Sequence, residues 1–514
     1  MNHAVIVPVL LPALAAVLIV LVGDQRLRVQ RALGLLSCAG LAIVALGALG
    51  HTALGAIEVY RLGAWPAPFG IALVLDRLAA LMLALTALVA LATVAAAMIG
   101  PEPWDARGRF FHAFFQFQLM GLNGAFLTGD LFNLFVFFEV LLVASYCLLL
   151  HGRGAERLRA GFHYVAVNLA ASALFLLAIA ALYAVTGTLN LADLALQVPR
   201  LAPKDVPIAR AAALVLLVVF AVKAAVFPLY LWLPRAYATA SPPVAALFAI
   251  MTKVGVYAIL RVHGLVFGPD AGGSALVAGP WLLVGAVATV ALGAFGAFAA
   301  AGLARMAAYL TIASVGTLLV GVAVFSPASL SAALYYLLHS TLALAALFLL
   351  AERIATQRGG DGFGPRPPLA QPAVLGVALA VAAVSIAGLP PLSGFVGKLA
   401  LLQATGSLPA TPVLWTALLG AGLASTIAFA RAGSALFWKT ADGGAPPMRA
   451  SWGSLAPMVA LLACSAALAI FAAPVKRYTD ATARQLADWR LYAPRILRES
   501  GPRSARPFPP RANP

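Results

Sequence analysis

Leu131-Phe132-Asn133-Leu134-Phe135-Val136-Phe137-Phe138-Glu139-Val140-Leu141, running on to Leu150, is an apolar stretch with a single charge near its middle. A helix of about 20 residues rises about 30 Å, the thickness of a hydrocarbon core. Runs of this kind recur along the chain, separated by short polar joints. Across 514 residues, 63% are apolar and 10% charged, with a mean hydropathy of +0.97. A soluble domain cannot hide that much apolar surface, because its outer shell must stay polar. Lipid offers the backbone no hydrogen-bond partners, so the runs must close their bonds as helices. The fold class expected is therefore all-α and polytopic, with about 14 membrane spans.

The runs fall at Ala4–Gly23, Ala32–Leu49, Ile71–Ile99, Phe111–Leu127, Leu131–Leu150, Phe162–Val185 and Pro207–Leu231. Ser241–His263, Ala275–Ala300, Met306–Phe325, Ser331–Ala351, Val374–Ala404, Val413–Phe437 and Leu455–Ala472 follow. The first run lacks a basic leader and a cleavage signal, and reads as a retained span. Val374–Ala404 is too long for one straight span. The membrane domain is expected over residues 1–474, with no soluble domain. The remainder, 475–514, is basic and rich in Pro and Arg, and reads as an exposed, disordered extension. Its first part, Val475–Leu491, could also lie along the membrane surface as a short helix.

The formal net charge of +17 would suit a nucleic-acid partner if it gathered on one face, but it does not. One set of alternate joints carries Arg26, Arg28, Arg31, Arg107, Arg109, Arg153, Arg157, Arg159, Arg235, Arg305, Arg353, Arg358, Arg366, Lys439 and Arg449. The other carries little beyond Arg61, Arg200, Lys204 and Arg261. The first set should face the cytoplasm, which puts the N-terminus outside. With an even span count the basic tail is outside too, against the trend. Cys38, Cys147 and Cys464 lie singly in apolar runs, so neither a disulfide framework nor a metal site is expected.

Function in such a chain is read from ionisable residues inside spans, where a charge is costly unless paired or hydrated. Glu139, Lys223, Lys253 and Lys398 each lie well inside an apolar run. Lys223 precedes Pro228, which removes a backbone donor and breaks or kinks the helix. Lys398 follows Pro390, Pro391 and two glycines, which interrupt the over-long run. Two interrupted spans, each with an intramembrane lysine, are the pattern of an internal repeat in a transporter. His339 adds a group that ordinarily titrates near about pH 6.5. His163 and Asn168 are weaker candidates, and Asp76 with Arg77 reads as a local ion pair near a span end. The bland alternative for each charge is a structural ion pair locking two helices. Together they suit a proton relay, in which a desolvated lysine keeps or releases its proton as a neighbouring acid's influence changes. No phosphate-binding loop, dinucleotide fingerprint, haem motif or hydrolase motif is present. The chain reads as a transporter subunit rather than an enzyme, with no cofactor.

Several segments also carry a family resemblance. Asp130 to Glu139, Lys223-Ala224-Ala225-Val226-Phe227-Pro228 through Pro234, and Gly388-Leu389-Pro390-Pro391-Leu392-Ser393-Gly394-Phe395-Val396-Gly397-Lys398 are three of them. With Ala307 to Gly316 and Tyr335 to His339, they resemble the antiporter-like membrane subunits of respiratory complex I and of Mrp-type cation/proton antiporters. The D-type Mrp chains are the most similar group. The resemblance covers nearly the whole chain. It implies 14 helices with two inverted five-helix repeats, about 111–265 and 275–438, and breaks in helices seven and twelve. It implies Glu139 as the helix-five acid, Lys223 as its partner, Lys253 as a relay and Lys398 as the exit group. It also implies partner subunits in a hetero-oligomer, monovalent cations and protons as cargo, and a bacterial inner membrane. Pro234-Arg235-Ala236-Tyr237 lacks the acidic and histidine residues many relatives carry there, as D-type chains often do. After His339, Ser340 to Ala345 lacks a lysine common in relatives, so the central relay would rest on His339 and water. Two other readings stay open: a proton-translocating subunit of a redox complex, and a scaffold whose buried charges only fix packing.

Overall fold

The computed structural model describes residues 3–100, 102–152, 154–441 and 449–497. Among the described residues twenty α-helices run in chain order. The first six are α1 (Val7–Val22), α2 (Leu27–Ala53), α3 (Arg77–Met98), α4 (Phe111–Leu127), α5 (Leu131–Leu150) and α6 (Ala155–Thr186). Next come α7 (Leu191–Gln197), α8 (Val206–Ala224), α9 (Leu233–Thr239), α10 (Pro242–Phe248), α11 (Met251–Leu265), α12 (Gly279–Ala299) and α13 (Leu303–Val324). The last seven are α14 (Pro327–Arg358), α15 (Pro372–Ala387), α16 (Ser393–Ala404), α17 (Thr411–Phe437), α18 (Trp452–Ile470), α19 (Ala472–Ala487) and α20 (Trp489–Leu497). Among the described residues, 11 helical segments are long and apolar enough to cross a membrane, and α1 and α15 are shorter apolar helices. The fold is not wholly helical. Inside one joint, β1 (Glu58–Arg61) pairs antiparallel with β2 (Ala72–Leu75), so Ala72 to Leu75, expected within the third span, is strand rather than helix.

The helices sort by exposure. α14 is buried along nearly its whole length and packs against α10, α13, α15, α16, α18 and α19, which makes it the axis of one half. α2, α6, α12 and α17 turn large apolar side chains outward, including Ile43, Phe162, Trp281 and Leu423. On a water-facing protein such a belt would be a liability; on helices long and apolar enough to cross a membrane it is a surface suited to lipid or to other apolar helices. α12 and α13 approach closely because glycine removes the side chains between them. A Cβ on Gly293 would lie 2.4 Å from the Ala313 nitrogen, and one on Gly316 2.5 Å from the Val290 nitrogen. Small residues at such a contact let backbones meet where no hydrophobic drive operates between helices.

Loops sort to two ends. Isolated bridges tie Leu73 to Thr128 and Asp130 to Asn190 at one end, and Gly302 to Gly362 and Arg366 to Thr440 at the other. At the second end, Asp105 receives Arg31 in two bonds of 2.7 and 2.8 Å and contacts His112 Nε2 at 3.0 Å. Burial alone would raise the Asp105 carboxyl, but the bonds from Arg31 and His112 outweigh it and hold the group below its usual range.

The tail departs from the expectation of disorder. Its described part is helical, as α19 and α20, because Thr479, Thr482, Ala483, Tyr492 and Ile496 give it a face to bury. Tyr478 contacts Thr52 at 2.9 Å and the Gln485 side chain accepts from the Arg77 nitrogen at 3.1 Å. The tail therefore lies at the same end as the 54–76 joint. Residues 498–514 of the expected extension lie outside the described residues, as does Arg153.

Candidate functional site

Glu139 sits half-buried on α5, beside an open, mostly apolar recess lined by Phe114, Phe117 and Val143. Its carboxylate accepts a hydrogen bond from the Ser172 hydroxyl of α6. Four residues earlier on the same helix, Asn168 accepts from Lys223 Nζ at 3.2 Å. Residues spaced by four share a helix face, so α6 presents two polar groups in line, one to the acid and one to the base. Among the described residues no direct ion pair joins Glu139 and Lys223. The Lys223 ammonium also stands 6.0 Å from the Phe138 ring centre. His163, one of the weaker candidates, is exposed, whereas Asn168 proves to be the residue that holds Lys223.

Lys223 occupies the last turn of α8, where the helix dipole favours a cation. The helix stops because Ala225 is left-handed, at φ 58°, and a cis Phe227–Pro228 peptide follows. The break is closed by protein groups rather than left open. The Trp232 indole donates to the Val222 carbonyl at 3.1 Å, and the Phe227 nitrogen donates to the Thr289 hydroxyl at 2.9 Å.

Lys253 is fully buried near the start of α11 and donates to Ser314 Oγ of α13 at 3.0 Å. Just before it, the expected single span Ser241–His263 divides into α10 and α11. There Ile250 and Lys253 bond back three residues instead of four, to Leu247 and Ile250. A tightened turn inside a helix is a common mark of a functional site. No proline marks this turn in the sequence, and the charge at its edge, Lys253, does not by itself signal a break.

The second interruption lies between α15 and α16. Gly388 is left-handed at φ 83°, and the Pro390–Pro391 peptide is cis. Lys398 reaches back across this break and donates to the carbonyls of Ile386 at 3.2 Å and Ala387 at 2.7 Å, the free end of α15. His339 Nδ1 lies 2.9 Å from Ser393 Oγ, the first residue of α16. Gly394 allows this docking, because a Cβ there would lie 1.8 Å from the Ser385 carbonyl oxygen and 2.8 Å from His339 Nε2.

Between these groups is a cavity with about 20 Å³ open to the centre of a water molecule, room for about one water. Ser314, Tyr336, His339, Ser340, Lys398 and Ser425 line it. It places the hydroxyl that holds Lys253, the imidazole of His339 and the ammonium of Lys398 around one polar space. Between Lys223 and Lys253, α8 and α11 pack directly, with no hydrogen bond joining the two lysines among the described residues.

One ionic group differs from the sequence expectation. Asp76 pairs with Arg261 of α11, in two bonds of 2.6 and 2.9 Å, and not with its neighbour Arg77. Arg77 instead donates to the carbonyls of Thr52 and Ala53 at 3.0 Å each. Nor is Arg261 a joint residue: it is 3% exposed.

Residues 128–428 match the family described as NADH:quinone oxidoreductase/Mrp antiporter, TM. The chain is 42% identical to the D-type subunit of a probable K(+)/H(+) antiporter from Rhizobium meliloti (strain 1021), over 98% of this chain and 99% of that one. It is 36% identical to the D-type subunit of an Na(+)/H(+) antiporter from Alkalihalophilus pseudofirmus, covering 97% of this chain and 100% of that one. Among solved structures, the fold superposes on a chain of the Mrp complex from Dietzia sp. DQ12-45-1b. The TM-score is 0.84 at 29% identity, over 97% of this chain and 100% of the other.

Proposed function

Because the chain belongs to the NADH:quinone oxidoreductase/Mrp antiporter transmembrane family, we propose that it is the D-type subunit of a multisubunit antiporter exchanging Na⁺ or K⁺ for protons. The membrane would be a bacterial plasma membrane, and the exchange would need the partner subunits of a hetero-oligomer. Near-full-length identity to proteins named as D-type antiporter subunits favours this reading over a proton-translocating subunit of a redox complex. In this reading the bundle has 14 spans, arranged as two inverted five-helix repeats over 111–265 and 275–438. The two interrupted spans are α8 with α9 and α15 with α16.

Protons would travel along Glu139, Lys223, Lys253, His339 and Lys398. Ser172 and Asn168 hold the first two groups in line without letting them form a locked ion pair, so the acid influences the lysine through space. Among the described residues Lys253 has hydroxyl partners only, which hold its ammonium weakly enough for a proton to leave. A water in the central cavity would carry that proton to His339 and on to Lys398, whose ammonium is held by the free carbonyls of α15. The observation that supports the relay most is this cavity, since it supplies the shared polar space that a missing lysine after His339 would otherwise leave unbridged.

The test is cation-induced proton movement in membrane vesicles bearing the assembled complex. Glu139→Gln and Lys223→Ala should each assemble to wild-type levels and lose most of the exchange. If both assemble and exchange normally, the buried charges are scaffolding.

A further inference from the structure

The sequence offers Lys253 no nearby acid, and the structure gives it none directly. Among the described residues its side-chain partners are Ser314 and Thr252. Along α11, however, Lys253, Tyr257 and Arg261 recur every four residues, and all three are buried. The Arg261 guanidinium donates to the Tyr257 hydroxyl at 3.2 Å and holds Asp76 with its other nitrogens. Tyr257 in turn donates to the Phe126 carbonyl at 2.6 Å. From α20, the Tyr492 ring lies 5.4 Å from the guanidinium and closes the cluster. Eight helical residues separate Lys253 from Arg261, about 12 Å along the axis.

We infer that Asp76 and Arg261 are positioning residues: a charge-compensated pair that anchors α11 beside the relay while cancelling the shift that either charge alone would impose on the pH at which a proton passes through Lys253. This rests on the relay reading. The argument is one of balance. Alone, a buried guanidinium about 12 Å from the relay lysine would oppose a second positive charge. Alone, the carboxylate would favour it. Paired, they nearly cancel. At an effective dielectric of about 20, one uncompensated charge at that distance changes the proton equilibrium about tenfold, or about one pH unit. Other charged or titratable groups stand around the stripe: Lys223 of α8, His339 of α14 across Ser314, Arg77 of α3 and Tyr478 of α19. Neither member of the pair forms an ion pair with any of these among the described residues.

The test is the pH profile of exchange by the assembled complex carrying Asp76→Asn, Arg261→Gln, or both. Asp76→Asn should move the profile about one unit to lower pH, and Arg261→Gln about one unit to higher pH. The double variant, which leaves no unpaired charge, should return close to wild type. A merely structural pair would give single variants with lower turnover and an unmoved profile, and that result overturns the inference, as does a shift of both in one direction. Should either single variant fail to assemble, Tyr492→Lys and Tyr492→Glu place a charge beside the pair from a peripheral helix. They should shift the profile down and up respectively, by less than one unit, and unmoved profiles overturn the inference equally. Lys253→Ala separates the two levels. If it assembles and exchanges normally, the relay reading falls; if it abolishes exchange while the pair variants leave the profile unmoved, only the present inference falls.

Discussion

Gly394→Ala tests the docking of the second interrupted span with a single methyl group. An alanine Cβ would start 1.8 Å from the Ser385 carbonyl oxygen and 2.8 Å from His339 Nε2. The first obstacle is backbone and cannot rotate away. Real Cβ contacts essentially never fall under 3.0 Å, so α16 must move about 1.2 Å relative to α15. Carried into the neighbouring residue and directed away from α14, that shift takes Ser393 Oγ from 2.9 Å to at most about 4.1 Å from His339 Nδ1, beyond hydrogen-bond reach. The lost bond costs about 1 kcal/mol and the overpacking about 1–3 kcal/mol, together about 2–4 kcal/mol. Lys398 can follow the carbonyls of α15 with its flexible stem, so the damage should centre on His339. In vesicles, the assembled variant should exchange cations for protons at least about tenfold more slowly than wild type. Normal exchange by a normally assembled Gly394→Ala complex would refute the reasoning, because the contact at Gly394 would then be irrelevant to the path.

Asn168→Ala removes the one side-chain acceptor of Lys223 among the described residues and should cut turnover about tenfold at normal assembly, since a buried ammonium without its bond loses about 1.5–3 kcal/mol. Gly316→Ala, whose methyl would meet Val290 and Ala286 of α12 and no relay residue, should lower the amount of folded subunit through about 1–3 kcal/mol of overpacking, with turnover per complex changed far less, as read by quantitative blotting beside transport. Asp105 gives a pH-dependent stability. Its folded carboxyl is held low, so its contribution is complete above about pH 4, where an unfolded aspartate ionises, and fades as pH falls through the lower folded value. Asp105→Asn should therefore lower the melting midpoint of the detergent-solubilised complex at neutral pH and flatten its acid limb.

Most of what was legible in the sequence followed from cost. A carboxylate or ammonium inside an apolar run is expensive wherever the run folds, so Glu139, Lys223, Lys253 and Lys398 stood out without any contact being known. Proline acts locally too, and Pro228, Pro390 and Pro391 marked the breaks from backbone chemistry alone. Partnerships were another matter. Arg77 adjoins Asp76, yet the carboxylate goes to Arg261, 185 residues away, because bidentate geometry in a buried site outcompetes a neighbour that can reach the free carbonyls of α2. The same limit hid Asn168 as the partner of Lys223, although two polar residues spaced by four in an apolar helix, Asn168 and Ser172, were a usable signal. The α10–α11 division left no signal, since it needs only a shift in bonding pattern. In the tail, the short helix expected over Val475–Leu491 has its counterpart in α19 and α20, whose small buried face the Pro- and Arg-rich composition does not reveal.

The central claim is that protons cross the middle of the bundle through the water-sized cavity between Ser314, His339 and Lys398. Ala421→Leu fills that cavity from α17 without removing any ionisable group. Cation-driven proton exchange by the assembled variant should fall at least about tenfold while the helices stay packed. Exchange at the wild-type rate, with the leucine seen in the cavity by structure determination, would contradict the account.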